Sequence, residues 1–240
     1  MSGITIRAGK PWQDLLREGL AALDIPVTDT VIDGISIRGS SSLESRLSRY
    51  MDELELFNRV FDLVGAESRE GLVVRHILDS LSPWKHLVPL LSGVSAPCIA
   101  DAGTGAGLPG IPLSLLFPEI PITLIERMSR RCSFLENFCA LLSLHNATVL
   151  ESPVEQAPQG GFSLVVFRAF RPLDAKMYRS LDRLLADGGH LAAWKGKMDK
   201  IDEEMSTIAG IVGDWRVFPS PVPFLDEHER HLVAIHHSGT

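Results

Sequence analysis

Apolar positions along the chain change from helical to strand spacing near residue 97, and that change divides it into two parts. In the first, Leu43, Leu47, Tyr50, Leu54 and Phe57 fall three or four apart, which predicts a helix from Leu43 to Phe57 with one buried face. Trp12 to Leu23 predicts another helix, and the polar stretch from Thr28 to Ser42 reads as a loop between them. A third helix is expected from Leu72 to Leu81, stopped by Ser82 and Pro83 because the residue before a proline disfavours helical backbone. Together these pieces form a helical N-terminal cap over residues 1–92.

From Pro97 onward, short apolar runs alternate with helical patterns. CIAD, PITLIE, TVLE, FSLVVF and GHLAAW read as strands, with helices expected near Pro109, Ser129, Leu173 and Lys200. Such alternation implies a parallel sheet covered by helices on both faces. Two later strands, Trp215 to Phe218 and His231 to Ile235, lie close enough to pair as an antiparallel hairpin across PSPVPFLDEHER. The expected second unit is residues 93–240, a mostly parallel seven-stranded sheet with a terminal antiparallel hairpin, packed with the cap as one body.

Composition narrows the class. At 240 residues and 45% hydrophobic, the chain suffices for one α/β core with a small appendage. Its formal charge of -7 excludes a freely binding basic nucleic-acid protein, so a nucleic-acid substrate would need a local basic face. The sequence has no apolar run of membrane-spanning length, and Met1 to Leu23 lacks a signal-peptide pattern, so a cytoplasmic protein without membrane partners is expected. Cys98, Cys132 and Cys139 are scattered, without C-x-x-C or nearby histidine spacing, which argues for small core residues and against a disulfide framework or a metal site.

The chemistry concentrates in CIADAGTGAGLPGIP, from Cys98 to Pro112. An apolar strand ends at Asp101, then Gly103, Gly105 and Gly107 permit a sharp turn close to a ligand, and Pro109 and Pro112 suit a first helical turn. Strand, glycine turn and helix N-terminus serve dinucleotides in some folds and S-adenosylmethionine in others. Gly105, Gly107 and Gly110 satisfy G-x-G-x-x-G, a weak pattern alone, whereas an acidic residue two positions before the first glycine is more typical of methyltransferases. The next strand ends in Glu126, whose carboxylate is suited to two ribose hydroxyls, a device that NAD enzymes share.

RHILDS from Arg75 to Ser80, DAGTGAGLPGIPL from Asp101, RRCSFLENF, SPVE from Ser152, RAF from Arg168, WKGK from Trp194 and ERHLV from Glu229 occur in an order and spacing that resembles the RsmG (GidB) family. The likeness covers roughly Met51 to Ile235. It implies a Rossmann-like, class I S-adenosylmethionine-dependent methyltransferase acting on N7 of a guanine in small-subunit (16S) ribosomal RNA. It also implies cofactor contacts at Gly103, Leu108, Val154, Glu155 and Arg168, to which the loop adds Asp101 and Gly105, and strand chemistry adds Glu126. The chain departs from the family pattern at Ala106, where proline is frequent, and at Glu126, where aspartate is frequent. Asp62, Leu63 and Val64 replace an N-L-T segment and lose its hydroxyl.

Guanine N7 already carries a lone pair, so no general base and no metal are expected, and catalysis should come from alignment and exclusion of water. Arg168, Arg171, Lys195, Lys197 and Arg230, at or just past strand ends, form the expected RNA-facing set, with His231 beside Arg230. Arg127, Arg130 and Arg131 open a helix where the dipole disfavours cations, which hints at RNA phosphate or Glu126 as their partner. His76 and Asp79, three apart on one helix, read as structural hydrogen-bonding residues. The acidic balance favours a shaped ribonucleoprotein, the assembled small subunit, over naked RNA. A methyltransferase of another acceptor, a non-catalytic ribosome-assembly factor and a dinucleotide oxidoreductase stay open at this point.

Overall fold

A computed structural model of the protein describes residues 10–61, 65, 68–168 and 173–237, with residues 59–61 described by backbone alone. Asp62, Leu63, Val64 and Arg171 therefore lie outside the described residues, as do Ala169 and Phe170.

The N-terminal part begins with α1 (Trp12–Ala22), which buries Leu15, Leu16 and Leu20. Thr28 to Ser42, read above as a loop, instead contains a hairpin of β1 (Thr30–Ile32) and β2 (Ile35–Ile37). Asp33 and Gly34 turn the hairpin with φ of 49° and 82°, the double left-handed geometry of a two-residue type I′ turn. An Asp-Gly pair between short β-branched runs was the signal for it. The following helix, α2 (Ser40–Phe61), begins earlier than its apolar pattern suggests. Residues 69–81 form the expected third helix in three pieces: α3 (Arg69–Leu72), a π-helical stretch (Val73–Leu78) and α4 (Asp79–Leu81). The Ser68 hydroxyl caps its start by accepting the Gly71 N–H at 3.1 Å. A short α5 (Trp84–Leu91) completes this part.

The rest alternates as predicted: β3 (Ile99–Ala102), α6 (Gly110–Leu116), β4 (Ile122–Glu126), α7 (Ser129–Leu141), β5 (Ala147–Glu151), β6 (Phe162–Arg168), α8 (Ala175–Asp182), β7 (Leu185–Lys195), α9 (Met198–Ile208), β8 (Trp215–Pro219) and β9 (His231–His236). The sheet order is β5-β4-β3-β6-β7-β9-β8. The first five strands run parallel, and β9 lies antiparallel between β7 and β8.

Alternation along β6 shows how the core is divided. Leu164 and Val166 enter one apolar cluster with Leu15, Tyr50, Ile77, Trp84 and Phe138, so the N-terminal helices and α6 and α7 cover one face. Val165 and Phe167 enter the other with Tyr178, Leu181, Ile201 and Met205 of α8 and α9. β3 has β4 on one side and β6 on the other, so the chain changes winding direction there and leaves a crevice beyond the carboxyl ends of these strands.

Candidate functional site

β3 is buried along its length and delivers Asp101 beneath the glycine loop. Asp101 Oδ2 accepts the Thr104 hydroxyl at 2.6 Å and the Gly110 N–H at 2.7 Å, which ties the loop to the first turn of α6. Burial pushes its pKa up to about 6, against the opposing pull of those two hydrogen bonds. Among the expected cofactor residues, Asp101 is the one that does not line the cavity; its carboxylate faces the loop's own donors.

Gly103, Gly105 and Gly107 adopt φ of 68°, 59° and 94°, a region that strains any residue with a Cβ. From the cap side, the buried Tyr50 hydroxyl donates to the Ala106 carbonyl at 2.8 Å, so α2 holds the loop as well. Gly110 meets a different constraint. A Cβ there would lie 2.3 Å from Leu124 Cδ2 and 2.6 Å from Asp101 Oδ2, so Gly110→Ala is expected to cost about 1–3 kcal/mol by overpacking. Denaturant unfolding checks this, with Gly161→Ala as a control, since a Cβ at Gly161 meets nothing within 4 Å.

The loop borders a cavity of about 410 Å³, lined also by Leu108, Glu126, Val154, Glu155 and Arg168. Glu126 is 4% exposed. Its two oxygens accept backbone N–H groups from Met128 at 2.9 Å and Gly105 at 3.2 Å, and the Arg131 guanidinium lies 3.7 Å away. Ile125 and Val154 give the same cavity apolar wall. Arg127 lines it too, and both Arg127 and Arg130 are exposed.

At the other side of the crevice, Arg168 ends β6 with its side chain 13% exposed. Its guanidinium donates to Asp79 Oδ2 at 2.7 Å and to the carbonyls of Arg75 and His76 in the π-helical stretch, at 3.3 and 3.4 Å. A π turn displaces carbonyls from the regular helical ladder, which suits it to receive such a donor. The other Asp79 oxygen accepts Arg230 Nε at 2.9 Å, and the Asp79 carbonyl accepts the Trp194 indole N–H at 3.0 Å. One buried carboxylate thus joins two arginines expected to face RNA.

Lys195 and His231 are placed elsewhere. Arg168 is registered with Trp194, so Lys195, one residue further, projects from the opposite face of the sheet. There its ammonium pairs with Glu204 of α9 at 2.5 Å, in a separate cavity with Leu173 and Gly196. His231, opposite Lys195 in the ladder, lies with Nδ1 2.6 Å from the Gly196 carbonyl. Neither lines the glycine-loop cavity. Lys197 is exposed just before α9.

His76 lines the cavity although the sequence suggested a structural role. Its Nδ1 lies 3.4 Å from the Arg168 guanidinium. Burial, then the charge of Arg168, pushes its pKa down to about 4, so the imidazole is neutral at pH 7 and a poor proton acceptor. The π-helical stretch that turns it inward was not legible in the sequence. In sum, a hydrogen-bonded carboxylate and an apolar wall suit a ribose with an attached flat ring, while Arg168 and His76 supply donors at the far end.

Comparison with known proteins completes the description. Residues 43–233 match the family GidB, described as rRNA small subunit methyltransferase G. A ribosomal RNA small subunit methyltransferase G from Treponema pallidum is 40% identical over 226 residues, covering 92% of this chain and 93% of that protein. One from Neisseria meningitidis is 32% identical over 223 residues, covering 93% and 97%. Among solved structures, a putative S-adenosyl-L-methionine-dependent methyltransferase from Methanococcus maripaludis superposes with a TM-score of 0.57 at 12% identity, over 79% of this chain and 93% of that one, a likeness of fold.

Proposed function

Because this chain belongs to the rRNA small subunit methyltransferase G family, we propose that it methylates N7 of one guanine in 16S ribosomal RNA, on the small ribosomal subunit in the cytoplasm, using S-adenosylmethionine. The observation that carries the cofactor reading is Glu126, fixed by two backbone N–H groups at the end of β4 and facing a cavity bounded by left-handed glycines. These residues fit the group. The Glu126 carboxylate would accept the ribose hydroxyls, Ile125, Val154 and Glu155 would hold the adenine, and Gly103 and Gly105 would let the backbone approach the remainder. When bound, S-adenosylmethionine supplies an electrophilic methyl group.

Guanine N7 needs no deprotonation, which agrees with a lining in which His76 is neutral and weakly basic. The protein's contribution is to hold the base in line and keep water out. Asp79, between Arg168 and Arg230, offsets positive charge beside a base that becomes cationic. Arg127, Arg130 and Lys197, all exposed, offer phosphate contacts that the overall charge of -7 does not.

The test is incubation with tritiated S-adenosylmethionine and small subunits from cells lacking the enzyme, followed by borohydride and aniline cleavage. A single cleavage, marking 7-methylguanosine, is expected. No incorporation despite tight S-adenosylhomocysteine binding would point to another acceptor, and no binding to a non-catalytic assembly factor.

A further inference from the structure

We propose that His76 reads the O6 atom of the target guanine through its Nε2–H, and thereby selects guanine over adenine; the proposal rests on the guanine-N7 reading above.

The first ground is a fixed tautomer. A guanidinium can only donate, so the Arg168 nitrogen 3.4 Å from His76 Nδ1 makes that ring nitrogen an acceptor and leaves the hydrogen on Nε2. The arrangement cannot invert, because Arg168 is itself held by Asp79 and by the Arg75 and His76 carbonyls. Nε2 is buried and meets no hydrogen-bond partner among the described residues, yet the side chain lines the cavity. A buried N–H without an acceptor is costly, and a ligand oxygen would relieve that cost.

The second ground is position. Glu126 ends β4 and Arg168 ends β6, with β3 between them. Two strand spacings, about 9–10 Å, therefore separate the proposed ribose site from the Arg168–His76 end. We assign that end, where Arg168 and Arg230 meet on Asp79, to the acceptor base.

The third ground is complementarity. Guanine presents the acceptor O6 next to N7, whereas adenine presents an amino donor at the same place. A locked N–H donor bonds the first and opposes the second, and leaves N7 open. Being neutral, His76 adds no positive charge against a base that is gaining one.

The test uses the full-length protein and small subunits lacking the modification, with cleavage mapping of the wild-type product done first. A product other than 7-methylguanosine defeats the underlying reading and this proposal with it. Given that product, His76→Leu is expected to lower kcat/KM, and the affinity of the S-adenosylhomocysteine-loaded protein for subunits, by roughly 10- to 100-fold, the cost of one unmet hydrogen bond. Affinity for S-adenosylhomocysteine alone, measured by calorimetry, should stay within about twofold, and His76→Gln, which keeps a donor, should recover part of the loss. Subunits reconstituted with 2-aminopurine at the target, which lacks O6, should bind the wild type more weakly by the same factor and bind His76→Leu no worse than guanine does. If His76→Leu still discriminates O6 fully, or if its loss appears equally in S-adenosylhomocysteine affinity, the proposal is overturned. Should His76→Leu not fold, wild type and His76→Gln on the two substrates decide the matter: equal binding of guanine and 2-aminopurine by the wild type overturns it.

Discussion

Asp79→Ala is expected to lower the stability of the protein by about 3–5 kcal/mol. Asp79 is 5% exposed and accepts Arg168 on one oxygen and Arg230 on the other. Removing it strands the guanidinium of Arg168, 13% exposed and unable to shed its charge, in a poorly solvated place. Among the described residues, the remaining acceptors of Arg168 are the Arg75 and His76 carbonyls, at 3.3 and 3.4 Å, and the His76 Nδ1 at 3.4 Å, and these offer partial dipoles in place of a full charge. Arg230, at 29% exposure, turns to solvent more cheaply. The damage should therefore come from Arg168, and the double variant Asp79→Ala with Arg168→Met should recover much of the loss because no buried cation remains. Urea unfolding measures both, with the midpoint shifting at constant slope. A loss under about 1 kcal/mol for Asp79→Ala, or a double variant worse than the single, would show that the pair is not what holds the π-helical stretch to β6.

How far this site was legible in the sequence depends on the distance over which each signal acts. The glycine loop, the strand that precedes it and Glu126 are local features, and spacing and residue type placed them correctly. The hairpin over 30–37 was equally local, and its Asp33-Gly34 turn was overlooked within a polar stretch. Lys195 illustrates a finer limit. Its place at the end of a strand was right, but the face it projects from depends on a register of one residue relative to Trp194, and period-2 geometry turns that single step into a different cavity. Asp79 could be paired with neither arginine beforehand, since Arg168 and Arg230 lie 89 and 151 positions away and only the completed sheet brings them together. The π-helical stretch has no composition signal comparable to a proline or a glycine, so the inward placement of His76 emerges only with the tertiary structure.

Glu126→Ala is expected to weaken S-adenosylhomocysteine binding about 100-fold, with Glu126→Gln near tenfold. A hydrogen bond to a charged acceptor is worth about 1.5–3 kcal/mol, and tenfold in affinity corresponds to about 1.4 kcal/mol. Glutamine keeps one oxygen acceptor and so keeps part of the interaction. Two effects combine in the alanine variant, because Glu126 also accepts the Gly105 and Met128 N–H groups and so shapes the loop. A ligand lacking the 2′-hydroxyl separates them. The wild type should bind 2′-deoxy S-adenosylhomocysteine about tenfold more weakly than the parent compound, and the Glu126→Ala protein should bind the two equally, since the acceptor for that hydroxyl is gone. If the alanine variant still favours the parent compound tenfold by calorimetry, the carboxylate acts on the loop alone and the ribose is held by another group. Equal sensitivity of stability and affinity to Glu126→Gln would point the same way, because a direct contact with the ribose changes binding without changing the unfolding midpoint of the free protein.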